Sequence, residues 1–335
     1  MPFIKDIENY KSLSIVGLEK NTGKTVCLNY VLSQLKKGTK QIAITSIGID
    51  GENIDQVTHT IKPSIEIYEG MLFVTSELLY KKRKLVAEIL EISQKTTALG
   101  RLITAKAKTS GNVILSGPTS NKSLKELILK LQGYGADITI VDGALSRKSS
   151  SSPSVTEAMI LTTGASVSAS ISQLVYKTEY VYNLINIEKE EDHLAPKLLD
   201  IESGVWAINS LEEFIDLNIN SVLNIEKLKK NLFNFGTRIY VSGAITDPFF
   251  EFLINQKQVA EIKLIVRDFT KIFVSPDKFY SFIKRGGKIK VLQKTKLIAV
   301  CINPTSAQGY NLNSADLKQA LEQKLLIPVY DLKKL

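Results

Sequence analysis

A chain of 335 residues that is 44% hydrophobic and 23% charged has the composition of an ordinary globular protein and is long enough for two domains, each with its own core. No apolar run reaches the length of a membrane span, and the start Met-Pro-Phe-Ile-Lys-Asp-Ile-Glu lacks the basic and apolar parts of a signal peptide, so a cytoplasmic protein away from any membrane is expected. The net charge of +9 comes from lysines scattered along the chain, as in Lys81-Lys-Arg-Lys84, with no basic run interleaved with aromatics; solvated faces rather than a nucleic-acid surface are expected.

The first informative stretch opens with an apolar run over 13–16, which reads as a buried strand. A loop closes on Gly23-Lys24-Thr25, and a helix over 26–37 follows, with apolar residues Val26, Leu28, Val31, Leu32 and Leu35 at helical spacing. Strand, tight loop and helix N-terminus are the context that a phosphate-binding loop requires. Loop amides and the helix dipole favour an anion there. The cradle would run through Glu19, Lys20, Asn21, Thr22 and Gly23, with Lys24 reaching the β- and γ-phosphates and Thr25 offering its hydroxyl to Mg²⁺. Five residues separate Gly17 from Gly23, one more than in the common G-x-x-x-x-G-K-[ST] pattern, and Leu18 stands where the first glycine would be. This longer form resembles the loop of dethiobiotin synthetase and its relatives.

A second strand over 41–47 completes a βαβ unit and predicts a parallel sheet. It leads to Asp50, Glu52 and Asp55, candidates for Mg²⁺ or for orienting an attacking water at the carboxyl edge. Residues 65–75 read as a hairpin turning at Glu69-Gly70, residues 76–94 as a long amphipathic helix, and residues 99–107 and 113–116 as strands joined through the turn Ser110-Gly111-Asn112. A helix over 123–131 precedes the apolar strand 136–142, whose terminal Asp142 has the Walker B arrangement and would hold Mg²⁺ directly or through water. Arg147 and the serine run 149–152 read either as a loop that orders with nucleotide or as a plain surface loop.

The chain continues with a strand and turn over 159–165, a helix over 170–184 and a polar stretch, 188–193, that marks a domain border. Strands over 238–243, 262–266, 297–302 and 327–330 alternate with helices over 248–255, 279–285 and 314–323. The expected fold is therefore α/β, a phosphate-loop sheet flanked by helices over 1–187 and a smaller α/β region over 188–335. Cys27 and Cys301 each sit in an apolar run and read as buried, reduced thiols. With two histidines, His59 and His193, and no cysteine pair at ligand spacing, a structural zinc site is not expected.

Gly17-Leu-Glu-Lys-Asn-Thr-Gly-Lys-Thr25, Thr45-Ser-Ile-Gly-Ile-Asp-Gly-Glu52, Ile140-Val-Asp-Gly-Ala144, Thr163-Gly-Ala165 and Asn303-Pro-Thr-Ser-Ala-Gln-Gly-Tyr310 together resemble the reactivase subunit of lysine 5,6-aminomutase, from about residue 10 to the C-terminus. The resemblance implies a chaperone-like role. With a MutS-like ATPase partner subunit, such a protein uses ATP and Mg²⁺ to release damaged cobalamin from an adenosylcobalamin-dependent lysine or ornithine aminomutase, so that intact cofactor rebinds. No Asp-x-His-x-x-Gly motif occurs, so the chain is not expected to hold cobalamin by the base-off motif. The serine run after Asp142 departs from the family pattern and leaves the role of Arg147 open.

Other readings of the same motifs stay open. A biosynthetic ligase of dethiobiotin-synthetase type would share the long loop, but Lys62-Pro63 comes too late for carbamate chemistry and Asp142-Gly-Ala-Leu lacks a Gly-Gly pair. A nucleotide-binding adaptor that does not hydrolyse is the other reading. Asn303 at a strand end resembles a base-reading asparagine, and Pro304 after it favours ATP over GTP. Relatives with this loop often pair across the nucleotide, so a homodimer is a further expectation.

Overall fold

The computed structural model describes residues 2–48, 64–144, 155–190, 193–223, 229–331 and 333–334. Asp50, Glu52, Asp55, Arg147 and the serine run 149–152 lie outside the described residues. In chain order the elements are α1 (Pro2–Ile7), β1 (Ser12–Gly17), α2 (Lys24–Leu35), β2 (Ile42–Ser46), β3 (Ile65–Ile67), β4 (Leu72–Ser76), α3 (Glu77–Tyr80), β5 (Ala87–Thr97), β6 (Gly100–Ala107) and β7 (Gly111–Val113). There follow α4 (Asn121–Gly133), β8 (Ile138–Ala144), β9 (Ala158–Gly164), α5 (Ile171–Ile185), α6 (Ala195–Asp200), β10 (Val205–Ile208), β11 (Phe214–Ile219) and β12 (Arg238–Val241). The chain ends with β13 (Ile245–Thr246), α7 (Asp247–Ile254), β14 (Lys263–Val266), β15 (Ile272–Phe273), α8 (Pro276–Lys284), β16 (Lys288–Val291), β17 (Lys296–Asn303), α9 (Ser314–Lys324) and β18 (Val329–Asp331).

Two compact units result, one of Met1–Glu179 with Thr295–Leu335, the other Tyr180–Lys294. The expected border at 187/188 with a contiguous C-terminal region differs from this division, because β17 and β18 return to the first sheet and extend it beside β9.

The first unit is built on a nine-stranded sheet in the order β18-β17-β9-β1-β8-β2-β4-β6-β5. The strands from β18 to β4 are all parallel, and β6 and β5 add an antiparallel edge. Every residue of β1 and β9 is buried, as the middle of a parallel sheet between two helical layers requires. Alternate side chains serve opposite faces. Leu13, Ile15, Ile138 and Ile140 pack with Phe3 and Ile7 of α1 and with Cys27, Leu28, Val31 and Leu32 of α2. Ala43 and Val141 pack with Leu124, Leu127, Ile128 and Leu131 of α4. Helix α4 starts where Ser120 accepts the Ser123 amide at 3.2 Å, a side-chain cap that satisfies one of the first-turn donors.

The second unit carries a five-stranded sheet in the order β11-β10-β12-β14-β16, with β12, β14 and β16 parallel and β10 antiparallel to both its neighbours. One face holds Leu194 and Leu198 against Tyr240, Ile265 and Leu292. Phe250 of α7 and Phe282 of α8 pack with ring centroids 5.2 Å apart.

Three local expectations are corrected. The long helix over 76–94 is instead the single turn α3 followed by strand β5. Its apolar spacing fits both periods; the β-branched Ile89, Ile92, Thr96 and Thr97 and the adjacent β6 decide for a strand. Thr97 closes the connection by donating its hydroxyl to the Gly100 carbonyl at 2.7 Å, with Gly100 at φ 89°. The hairpin over 65–75 does not form either. Residues 69–70 do turn, but β4 enters the main sheet between β2 and β6 while β3 pairs with β7. Gly111 and Asn112 accordingly belong to β7 and not to a turn. Gly111 is needed for packing: a Cβ there would lie 2.0 Å from the Lys84 carbonyl oxygen.

Candidate functional site

Because β1, β2, β8, β9 and β17 are parallel neighbours in one sheet, the segments that follow them leave from one edge. The chain runs from β1 outward to β2 on one side and from β9 outward to β17 on the other, so the order reverses beside β1. Such a reversal is where open α/β sheets bind ligands.

The loop between β1 and α2 is folded tightly against this edge. Gly17 has no room for a side chain: a Cβ would lie 2.6 Å from Thr22 Oγ1 and 2.9 Å from the Glu19 carbonyl oxygen. Thr22, buried, donates its hydroxyl to the Glu19 carbonyl at 3.0 Å and lies 3.0 Å from the Thr162 hydroxyl of β9. The Leu18 amide donates to the Thr162 carbonyl at 2.8 Å. Asn21 and Gly23 take left-handed backbone conformations, φ 60° and 88°, which asparagine and glycine tolerate best. Gly23 is the N-cap of α2, so Lys24 is the first helical residue and Thr25, half-buried, the second. The helix starts two residues earlier than its apolar pattern suggests, and Val26 is 44% exposed, outside the buried stripe.

Lys24 does not reach into solvent. Its Nζ lies 3.0 Å from Oδ1 of Asp142, two residues before the end of β8, with the side chains 19% and 5% exposed. The two residues singled out for phosphate and for metal therefore form one largely buried ion pair. The backbone of Asp142 is fixed by β2: its carbonyl accepts from the Ser46 hydroxyl at 3.3 Å and from the Ile47 amide at 3.4 Å. Glu19 is exposed and pairs loosely with Lys177, 3.5 Å away; Lys20 is exposed. A surface pair of this kind contributes little.

Asn303, at the end of β17, lies against the same loop. Its Nδ2 donates to the Asn21 carbonyl at 3.3 Å, and its Oδ1 accepts from the Thr305 amide at 3.2 Å. Residues 303–312 fold into a compact turn in which the Ser306 amide donates to the Tyr310 carbonyl at 2.9 Å and the Leu312 amide to the Pro304 carbonyl at 2.9 Å. The turn is moored to the end of β9: the Tyr310 hydroxyl donates to the Ala165 carbonyl at 2.6 Å and the Ala165 amide to the Asn303 carbonyl at 2.9 Å. Gly164 permits this approach, since a Cβ there would be 2.1 Å from the Asn303 carbonyl oxygen.

The sequence pattern missed Thr162, whose hydroxyl and carbonyl shape the loop, although it adjoins the Thr163-Gly-Ala165 motif. It also gave no sign that Cys27 and Cys301 meet. Their Sγ atoms are 3.8 Å apart, and both residues are fully buried. The contact with Cys301, then burial, pushes the Cys27 thiol well above its ordinary range, so it stays protonated and chemically quiet.

Oxygen donors, a hydroxyl at Thr25 and a carboxylate at Asp142, suit Mg²⁺, which is commonly held by one or two protein groups together with substrate phosphates. Among the described residues no cluster of three or more His, Cys, Asp or Glu is placed to hold a metal, and no helix is long and apolar enough to cross a membrane. No family model, curated protein or solved structure gives a significant match to the chain.

Proposed function

We propose that this chain binds MgATP at the β1–α2 loop and is the nucleotide-binding subunit of an ATP-dependent reactivase for an adenosylcobalamin-dependent lysine or ornithine aminomutase. The observation that carries nucleotide binding is the Lys24–Asp142 pair behind a glycine-capped helix start, at the point where strand order reverses. The assignment to a reactivase rests on the resemblance. It is supported by how its separated segments meet: 17–25, the start of 45–52, 140–144, 163–165 and 303–310 share one sheet edge and are joined by hydrogen bonds.

In this reading the loop amides and the α2 N-terminus hold the phosphates, and Lys24 leaves Asp142 to meet the β- and γ-oxygens. Thr25 and Asp142 would hold Mg²⁺, which neutralises phosphate charge. Until then Asp142 neutralises the ammonium that the phosphates need. Nucleotide without Mg²⁺ must compete with a buried carboxylate, and nucleotide with Mg²⁺ supplies that carboxylate with a new cation. A partner that prefers the ATP-bound over the ADP-bound chain would then be driven by hydrolysis. Asp50, outside the described residues, is proposed to orient the attacking water; Asp50→Asn should slow turnover with binding retained.

The partners are then a MutS-like ATPase subunit and the aminomutase, with pairing into a homodimer a further part of the proposal. The test mixes aminomutase inactivated by turnover with both subunits, ATP, Mg²⁺ and fresh adenosylcobalamin, and follows recovery of activity. Recovery that depends on this chain and fails with Lys24→Ala supports the reading. Recovery without the chain removes the reactivase role, and nucleotide affinity unchanged in Lys24→Ala by calorimetry removes the nucleotide site.

A further inference from the structure

We propose that Asn303 acts as a positioning residue for the phosphate-binding part of the β1–α2 loop and does not read the base, an inference that rests on the nucleotide-binding reading. The side-chain amide has one orientation that satisfies both of its contacts. With Oδ1 toward the Thr305 N–H and Nδ2 toward the Asn21 carbonyl, each contact is a hydrogen bond; the flipped amide would set donor against donor and acceptor against acceptor. The bond to Asn21 spans 282 positions of sequence and lands on the residue with the left-handed φ of 60°, next but one to Gly23. A left-handed non-glycine residue is held in place by its surroundings. Here the surroundings include a carbonyl pinned from β17.

Asn303 is itself immobilised. It pairs with Gly164 in the β17–β9 ladder, its carbonyl accepts from the Ala165 amide, and the Tyr310 hydroxyl bonds the Ala165 carbonyl. The chain of contacts thus runs Tyr310, Ala165, Asn303, Asn21, with Thr162 bonding the Leu18 amide from the neighbouring side. The loop is clamped by two strand ends at once, which fixes the direction of its amides before any phosphate arrives. Fixing donors in advance removes an ordering cost from binding.

The two roles are separated by the ligand. A base reader acts on the nucleoside; a loop-positioning residue acts on whatever binds the loop. Calorimetry with ATP, GTP and inorganic tripolyphosphate, each with Mg²⁺, is run on wild type, Asn303→Ala, Asn303→Asp and Tyr310→Phe. Asn303→Ala should weaken all three ligands by one common factor of about fivefold, the size of one neutral hydrogen bond. Asn303→Asp keeps the acceptor for Thr305 but has no donor for Asn21, and should be no better than alanine. Tyr310→Phe keeps the ring and should give a smaller loss of the same kind. Amide hydrogen exchange on the unliganded chain should quicken at residues 18–23 in Asn303→Ala, with the amides of β1 and β8 unchanged. A changed ATP-to-GTP ratio with tripolyphosphate affinity intact, or loop exchange equal to wild type, overturns the proposal. If wild type binds none of the ligands, the nucleotide reading fails, and the loop exchange still decides whether Asn303 braces the loop.

Discussion

Both units of the chain end parallel strands in polar residues, but they use them differently. In the second unit the residues after β12 and β14 bond their own turn or the backbone of neighbouring segments. Asp268 accepts from the Thr270 amide at 2.8 Å and from the Thr270 hydroxyl, while Arg267 donates to the Leu199 and Ile201 carbonyls at 3.0 and 2.9 Å. Ser242 donates to the Gly204 carbonyl at 3.0 Å. These contacts tie turns to neighbouring backbone. In the first unit Asp142, two residues before the end of β8, is joined instead to the ammonium of Lys24, which starts α2, across two strand-loop units. Under the proposed function the partner of Asp142 is a charge that a ligand would take over, whereas the bonds of Asp268 to Thr270 tie a turn.

The largest effect should come from breaking the first pair. Lys24→Ala should reduce MgATP affinity at least about a hundredfold, near the 2.7 kcal/mol expected when a charge-assisted phosphate contact is lost. Arg267→Ala should leave that affinity unchanged while lowering stability by about 2 kcal/mol, since two carbonyls lose a charged donor. Equal nucleotide affinities in Lys24→Ala and wild type would erase the contrast between the units. The lysine is also not free of structural consequence. Its removal takes an ammonium from a carboxylate that is 5% exposed, so Lys24→Ala should melt lower than the Lys24→Ala/Asp142→Asn double variant.

Asp142→Asn sharpens the comparison by its sign. It should weaken nucleotide binding in the presence of Mg²⁺ and strengthen binding in EDTA by about tenfold, or 1.4 kcal/mol, because the ammonium is no longer neutralised. Tighter binding only with Mg²⁺, or none of either change, would leave the ion pair without a regulatory part.

Strand-end glycines give a smaller contrast. Gly164→Ala places a methyl group against the Asn303 carbonyl and should cost about 1–3 kcal/mol in denaturant titrations. Gly243→Ala has no heavy atom within 4 Å of the added Cβ and should be neutral or slightly stabilising. The smallest effect concerns pH. The Cys27 thiol is raised by folding, so its contribution to stability is complete below the unfolded thiol pKa of about 8.5 and is lost as the pH rises toward the folded value. Stability should therefore fall from pH 8 to pH 10, and Cys27→Ala should flatten that slope; an unchanged slope would assign the alkaline loss to other groups.

How much could be read without the fold differs along the chain. The β1–α2 unit, the α4 helix and the strands that carry Asp142 and lead to Asn303 were legible, because each is specified by residues within one segment: an apolar run, a glycine turn, a helical stripe or a polar cap. Residues 76–94 were not, since their pattern fits two periods and only β6 supplied the partner that chose between them. The pairing of β3 with β7 was hidden for the same reason. At the site, the sequence by itself placed Gly23 between β1 and the following helix and Asp142 on a strand. It left Lys24 and Thr25 in the loop and not in the first turn of α2, and ended the strand at Asp142 and not at Ala144. Tertiary structure alone decided that Lys24 rests on Asp142, that Cys27 meets Cys301, that the C-terminal strands rejoin the first sheet and that Asn303 holds Asn21. Spacing along a helix or strand is a local constraint and is written in nearby residues. A hydrogen bond between positions 282 apart depends on where whole strands settle, and that is set by the packing of the entire sheet.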